Sequence, residues 1–249
     1  MHMRKVVCFL LSMMILCFAA LASGEALMLP QNVSVGDIIT FGHYEQDCNL
    51  DNGREPIEWI VLDVQDGKAL LLSRYGLDSR GYHQNWDDVT WETCSLRLWL
   101  NDRFLNAAFS AEEQSAILTT PVDNSDSQGY DWTTPEEDKP TGGNNTQDQI
   151  FLLSIAEANR YLNVTVENGN NTKSRVAPTA YAIFVGAYSD SEYQTDDGDA
   201  AGYWWLRSPG STQSTAAGVL FDGSLSYARA FHDSIVRPAL WVNLKQDIQ

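Results

Sequence analysis

The residue types best suited to holding a ligand are gathered in the last third of the chain. Along the stretch from Leu225 to His232, Tyr227 and Arg229 fall on one face, and Asp222 and His232 sit near its ends. Such a set can stack on a ligand and hydrogen-bond it. The plain alternative is an ordinary solvated strand face. Just upstream, Trp204, Trp205 and Arg207 combine large contact area with a guanidinium, a pairing common at binding surfaces. Two adjacent strand residues point to opposite sides, so at least one tryptophan belongs to the core. Trp204 is therefore assigned to the ligand surface with Asp222, Tyr227, Arg229 and His232. Trp205, Arg207, Arg237 and Trp241 are assigned to structure, with Arg237 expected as a partly buried guanidinium paired to a carboxylate.

Two acidic clusters have the chemistry of calcium ligands, so calcium is the one cofactor the chain invites. Asp196, Asp197 and Asp199, with Asp190 and Glu192 nearby, form the weak candidate metal site. Asp47, Asn49, Asp51 and Glu58 carry oxygens at spacings that mimic a calcium loop, but the glycine, Gly53, falls one place late. An acidic hairpin loop is the expected reading there. Catalytic signals are sparse. Beyond the N-terminal segment the histidines are His43, His83 and His232, with no His-Glu-x-x-His pair and no Gly-x-Ser-x-Gly elbow. No catalytic residue is assigned, although 33 acidic residues offer many carboxylate pairs of the kind glycoside hydrolysis needs.

The elements that must position these residues alternate in period. Residues 57–64 and 68–73 read as strands joined by the tight turn Asp66-Gly67. Leu96, Trp99, Leu100, Arg103 and Phe104 share one face at helical spacing, which predicts an amphipathic helix over 95–106. Ser110 with Glu113 and Ser154 with Glu157 are capping boxes opening two further short helices, the second ending near Leu162. Residues 121–149, 163–177 and 187–202 read as loops by composition. Residues 219–231 form another hairpin across Asp222-Gly223, and 235–244 a last strand with Pro238 at an edge or bulge. Strands at both ends with short helices and long loops between them predict an α+β fold whose termini pair in one sheet.

The chain has 249 residues, 44% of them hydrophobic, enough for a real core, and a formal net charge of −17. That charge excludes a nonspecific nucleic-acid binder and argues against an anionic membrane surface as partner. Arg4 and Lys5, the apolar stretch from Val6 to Ala20 and the small-x-small run Ala20-Leu21-Ala22 read as a signal peptide over 1–22. The expectation is a secreted, extracellular protein with no membrane contact after cleavage, a short leader over 23–34 and a single domain over 35–245. Cleavage leaves Cys48 and Cys94, either as one disulfide or as two separate thiols.

Several motifs in order resemble a known family. They include Phe41-Gly42-His43-Tyr44, Glu55-Pro56-Ile57-Glu58-Trp59-Ile60-Val61-Leu62-Asp63 and Val89-Thr90-Trp91-Glu92-Thr93-Cys94. Trp204-Trp205-Leu206-Arg207-Ser208-Pro209-Gly210 and Val236-Arg237-Pro238-Ala239-Leu240-Trp241-Val242 complete the pattern. From about Val35 to Leu244 the chain resembles the bacterial domain-of-unknown-function 6273 family, found mostly in secreted or surface proteins of gut Firmicutes. The resemblance implies no activity. Its layout is similar to C-type-lectin-like folds, including the formylglycine-generating type, and in such relatives the final third of the chain often binds ligands. The copper cysteines of the formylglycine-generating type have no counterpart after Cys94, so that activity is excluded.

The expectation is thus a secreted, noncatalytic, lectin-like binding domain recognising an extracellular glycan or protein. The alternatives are a secreted polysaccharide hydrolase working through carboxylates and a structural surface module. A binder predicts an aromatic-lined face, a hydrolase two convergent carboxyl groups, and a structural module neither.

Overall fold

The computed structural model describes residue 29, residues 32–129 and residues 139–244. The signal-peptide and most of the leader expectations lie outside the described residues. Among the described residues, thirteen strands and a few short helices form an α+β arrangement in which two main sheets dominate. The first sheet holds β1 (Ile38–Tyr44), β2 (Glu55–Gln65) and β3 (Lys68–Ser73). Residues Asp66 and Gly67 turn β2 into β3 with φ of 51° and 73°, the double positive φ that a two-residue hairpin turn requires. The chain then crosses to a second sheet through β4 (Asp78–Gly81).

Helical structure follows. Cys94 opens α1 (Ser95–Trp99) by accepting the Arg97 N–H on its sulfur at 3.3 Å. A π turn (Leu100–Phe104) and α2 (Leu105–Ala108) continue it; of the face the spacing predicts, Leu96, Leu100 and Phe104 are buried and Trp99 partly so, whereas Arg103 is exposed and Leu105 is buried instead. Both capping boxes are present: Ser110 with Glu113 opens α3 (Ala111–Ala116), and Ser154 with Glu157 opens α4 (Ile155–Leu162). Asn163, at φ 55°, ends α4 in the left-handed conformation that asparagine tolerates. Between them, β5 (Thr120–Val122) and β6 (Thr146–Asp148) pair within what composition reads as one long loop.

After α5 (Ala180–Phe184), residues 187–202 likewise fold back as a ladder of β7 (Ser189–Gln194) and β8 (Ala200–Gly202). Their polar, aspartate-rich composition hides the pairing because little of β7 is buried. The second sheet then gains β9 (Trp204–Pro209), β10 (Thr215–Val219), β11 (Leu225–Arg229) and β12 (Asp233–Val236), in the order β11-β10-β9-β12-β4. All its pairs are antiparallel except β12 with β9. The single final strand expected over 235–244 is in fact two. The chain leaves the second sheet after β12, turns at Arg237-Pro238 and enters the first as β13 (Ala239–Asn243) beside β3. Proline cannot donate to a ladder, and here it stands at the corner where neither sheet needs its N–H.

The first sheet therefore runs β1-β2-β3-β13, which brings the two ends of the domain together; Leu29 also bridges Leu244. Trp59, Trp91, Trp204, Trp205, Tyr82 and Phe104 are the largest apolar side chains sealed in the core.

Candidate functional site

A cleft of about 720 Å³ lies where β4, the helix from α1 into the π turn, and the turn between β11 and β12 meet. Its floor is polar. Asp78 is almost wholly buried, accepts the Tyr44 hydroxyl at 2.6 Å and the Ser79 N–H at 2.8 Å, and has the Arg80 Nε at 3.3 Å. The Arg80 contact is an ion pair without hydrogen-bond geometry. Burial raises the Asp78 carboxyl above its ordinary value, and the Tyr44 hydrogen bond and the Arg80 charge offset this only in part. Tyr44 is raised in turn, by burial and by the neighbouring Asp78 charge.

The helical wall supplies cation–π and acid–base groups. The Arg80 guanidinium lies 4.1 Å from the centre of the Trp99 ring, which holds it across the cleft. Asp102 and Arg103, exposed on the π turn, line the same wall with Leu98. His83 accepts the Ser95 N–H on Nδ1 at 3.2 Å, which leaves Nε2 as the protonated nitrogen of the neutral ring. Asp233 completes the opposite edge, at the start of β12.

The lip is aromatic. Trp86 is 65% exposed in the polar loop after β4, and the Phe231 ring, which lines the cleft, packs against it at 5.4 Å. Arg229 reaches over the Trp86 ring at 4.8 Å, and His232 stacks edge-on against Phe231 at 4.6 Å. The arrangement joins a flat apolar platform to a trough of donors and acceptors of both signs.

Of the residues expected to bind a ligand, Arg229 and His232 belong to this lip. Tyr227, 44% exposed on the same strand, faces a separate pocket of about 230 Å³ with Ile155, Val166 and Leu225. Asp222 spends its carboxylate on the N–H and hydroxyl of Ser224, at 2.9 and 2.7 Å, and so holds the hairpin turn. Trp204 offers no surface to a ligand. It is fully buried, its indole N–H donates to the Ser174 carbonyl at 2.9 Å, and the Arg237 guanidinium covers its ring at 4.9 Å. Both adjacent tryptophans are interior because β9 lies inside its sheet, with protein on either face.

Trp205 is also fully buried, donating to the Arg80 carbonyl at 2.9 Å, and Trp241 is partly buried with the Lys68 ammonium 5.3 Å from its ring. Arg207 is buried and forms a two-pronged pair with Glu157, while also donating to the Leu152 and Asp123 carbonyls. Arg237 departs from expectation: it is fully buried and donates to the Ser73 and Ser174 carbonyls at 3.0 and 3.4 Å, and among the described residues it is not paired with a carboxylate. Burial lowers its pKa to about 9.

One cation reaches both the weak candidate metal site around Asp197 and the acidic hairpin loop that carries Glu58. Arg74 bonds Asp197 at 2.9 Å and Glu58 at 2.7 Å, so a guanidinium already neutralises a member of each set. Asp196 and Asp197 border a small cavity shared with Arg74, Lys173 and Arg175, whereas Asp199 lines another. Cys48 is an exposed thiol and Cys94 a buried one, and the two are not joined.

The cleft residues Asp78, Arg80, His83, Trp86, Asp102 and Asp233 went unread in the sequence. A readable signal was present in two places. Trp86 stands alone among Gln84, Asn85, Asp87 and Asp88, where no core needs it, and Arg103 interrupts an otherwise apolar helix face.

No curated protein and no solved structure matches the chain. A family model described as a domain of unknown function (DUF6273) matches residues 66–244, which span β3 through β13 and include every residue of the cleft and its lip except Tyr44. With most of its length matched, the chain belongs to this DUF6273 family.

Proposed function

We propose that the protein is a secreted, noncatalytic binding domain with a C-type-lectin-like arrangement, and that its cleft takes an extracellular glycan. The observation that carries this reading is the exposed Trp86 platform, held by Phe231 and Arg229 at the mouth of a polar cleft. Sugars present an apolar C–H face that stacks on an aromatic ring and a rim of hydroxyls that seeks donors and acceptors. Asp102, Arg103, Asp233 and Gln84 stand around the cleft to meet those hydroxyls. Pairing of β1 with β2 and of β13 with β3 in one sheet supports the lectin-like layout. The export reading rests on Arg4, Lys5 and the apolar run to Ala20, and no helix among the described residues is long and apolar enough to cross a membrane.

A glycan array with the purified protein tests the reading. Selective binding is expected, and Trp86→Ala should weaken it at least about tenfold, ~1.4 kcal/mol, with unchanged thermal unfolding. An array silent with the wild-type protein would remove the glycan reading.

A second reading, polysaccharide hydrolysis, draws on Asp78, whose raised carboxyl shares the cleft with Asp102 and Asp233. Asp78 is, however, already engaged by Tyr44, Ser79 and Arg80, which leaves it poorly placed to deliver a proton. Release of reducing ends from a bound polysaccharide, lost in Asp233→Asn, would favour this reading over binding alone.

A further inference from the structure

Away from the cleft, the connection from β1 to β2 draws three carboxylates together. Oxygens of Glu45, Asp47 and Glu55 lie within 4.8 Å of one another. Among the described residues none of the three forms an ion pair. The neighbouring Arg54 points its guanidinium away, to the Ala107 carbonyl. Like charges this close repel, and the repulsion grows as water is excluded.

Glu45 makes the arrangement more demanding than a surface cluster of acids. It is only 8% exposed, and its Oε1 is shut off from solvent with no hydrogen-bond partner. A buried carboxylate oxygen without a donor carries a desolvation cost that a protein normally offsets with a hydrogen bond, a cation or a proton. The rest of the loop is built to hold the other two acids in place. The Asn49 N–H and the Asn52 amide bind the two oxygens of Asp47 at 2.7 and 2.8 Å, and the Gln46 N–H binds Glu55 at 2.7 Å. Each of these oxygens still has a lone pair to give.

We infer that Glu45, Asp47 and Glu55 form a binding site for a hard divalent cation, calcium, clamping the end of β1 to the start of β2. All-oxygen ligation with flexible geometry is calcium chemistry, and the absence of cysteine or histidine from the set disfavours zinc and copper. Asp47 is exposed, so solvent can supply the remaining coordination positions on that side. The site shares Asp47 with the stretch that mimics a calcium loop but includes neither Glu58 nor Asp197, the two carboxylates that Arg74 engages, and it does not depend on the glycan reading.

Calorimetric titration of the full chain with calcium chloride tests this, with thermal unfolding measured in calcium and in chelator. One equivalent is expected to bind in the range of about 0.1 to 1 mM typical of extracellular sites, with a rise in Tm. Glu45→Gln should weaken binding at least about tenfold and raise Tm in chelator, because it removes the repulsion. Asp197→Asn should leave calcium affinity unchanged. Two results would overturn the inference. One is no heat and no Tm shift with the wild-type chain, which would mean that Glu45 and Asp47 share a proton instead. The other is calcium binding that Glu45→Gln leaves intact, which would place the ion on other carboxylates of this acidic chain.

Discussion

Asp78 and Cys94 show how burial sets the chemistry of single residues. The Asp78 carboxyl is raised in the folded protein above the 3.8 of the unfolded chain, chiefly by desolvation. Folding therefore favours its protonated form, and its contribution to stability is fullest below about pH 3.8 and falls as pH rises through the folded value. Asp78→Asn should remove that decline, so the gap in Tm between variant and wild type should change in the variant's favour between pH 3.5 and 7. Thermal melts across that range check it. Cys94 is sealed in the core, and burial pushes its thiol up to about 12, whereas Cys48 is exposed. Iodoacetamide should label Cys48 in the native protein and Cys94 only after unfolding, as peptide mapping would show.

At the scale of elements, α4 joins a legible signal to an illegible one. The Ser154 hydroxyl and Glu157 carboxylate cap its first turn, as their spacing predicts. Glu157 also neutralises Arg207, a contact between residues 50 positions apart that spacing alone does not reveal. The two substitutions should therefore differ. Ser154→Ala loses a cap and should cost about 1 kcal/mol. Glu157→Ala also strands a buried guanidinium and should cost about 3 kcal/mol or more. Urea unfolding of both variants measures the difference. The same contrast runs through the rest of the chain. The β2–β3 turn, both capping boxes and the 95–106 helix were readable because their causes lie within a few residues. The β7–β8 ladder was not, because its polar, little-buried residues carry no alternating apolar signal, and the split between β12 and β13 was not, because distant strands decide which sheet each one joins. The candidate site suffered most. Its residues come from β4, the π turn and the β11–β12 turn, so only Arg229 and His232 could be picked out in advance.

Over the whole molecule, the two sheets are coupled by two crossings, β3 into β4 and β12 into β13. They meet at one corner, where the Ser73 N–H donates to the Pro238 carbonyl at 3.0 Å and the Leu77 N–H to the Val236 carbonyl at 3.0 Å. The Arg237 guanidinium is lodged there, between Ser73 and Ser174. The sheets share one continuous core, so they should unfold together in a single transition.

That corner also fixes an order of events in time. Among the described residues β4 has β12 as its only strand partner, and β12 comes roughly 150 residues later in the chain, a separation that slows folding. The outer edge of β3 waits equally long for β13. A growing polypeptide can form the β2–β3 hairpin early, but neither sheet can close until residues 233–243 have left the ribosome. A chain halted at His232 should lack a cooperative melt and be cut rapidly by protease throughout its length. Domain closure is thus a late event, timed by the emergence of residues 233–243.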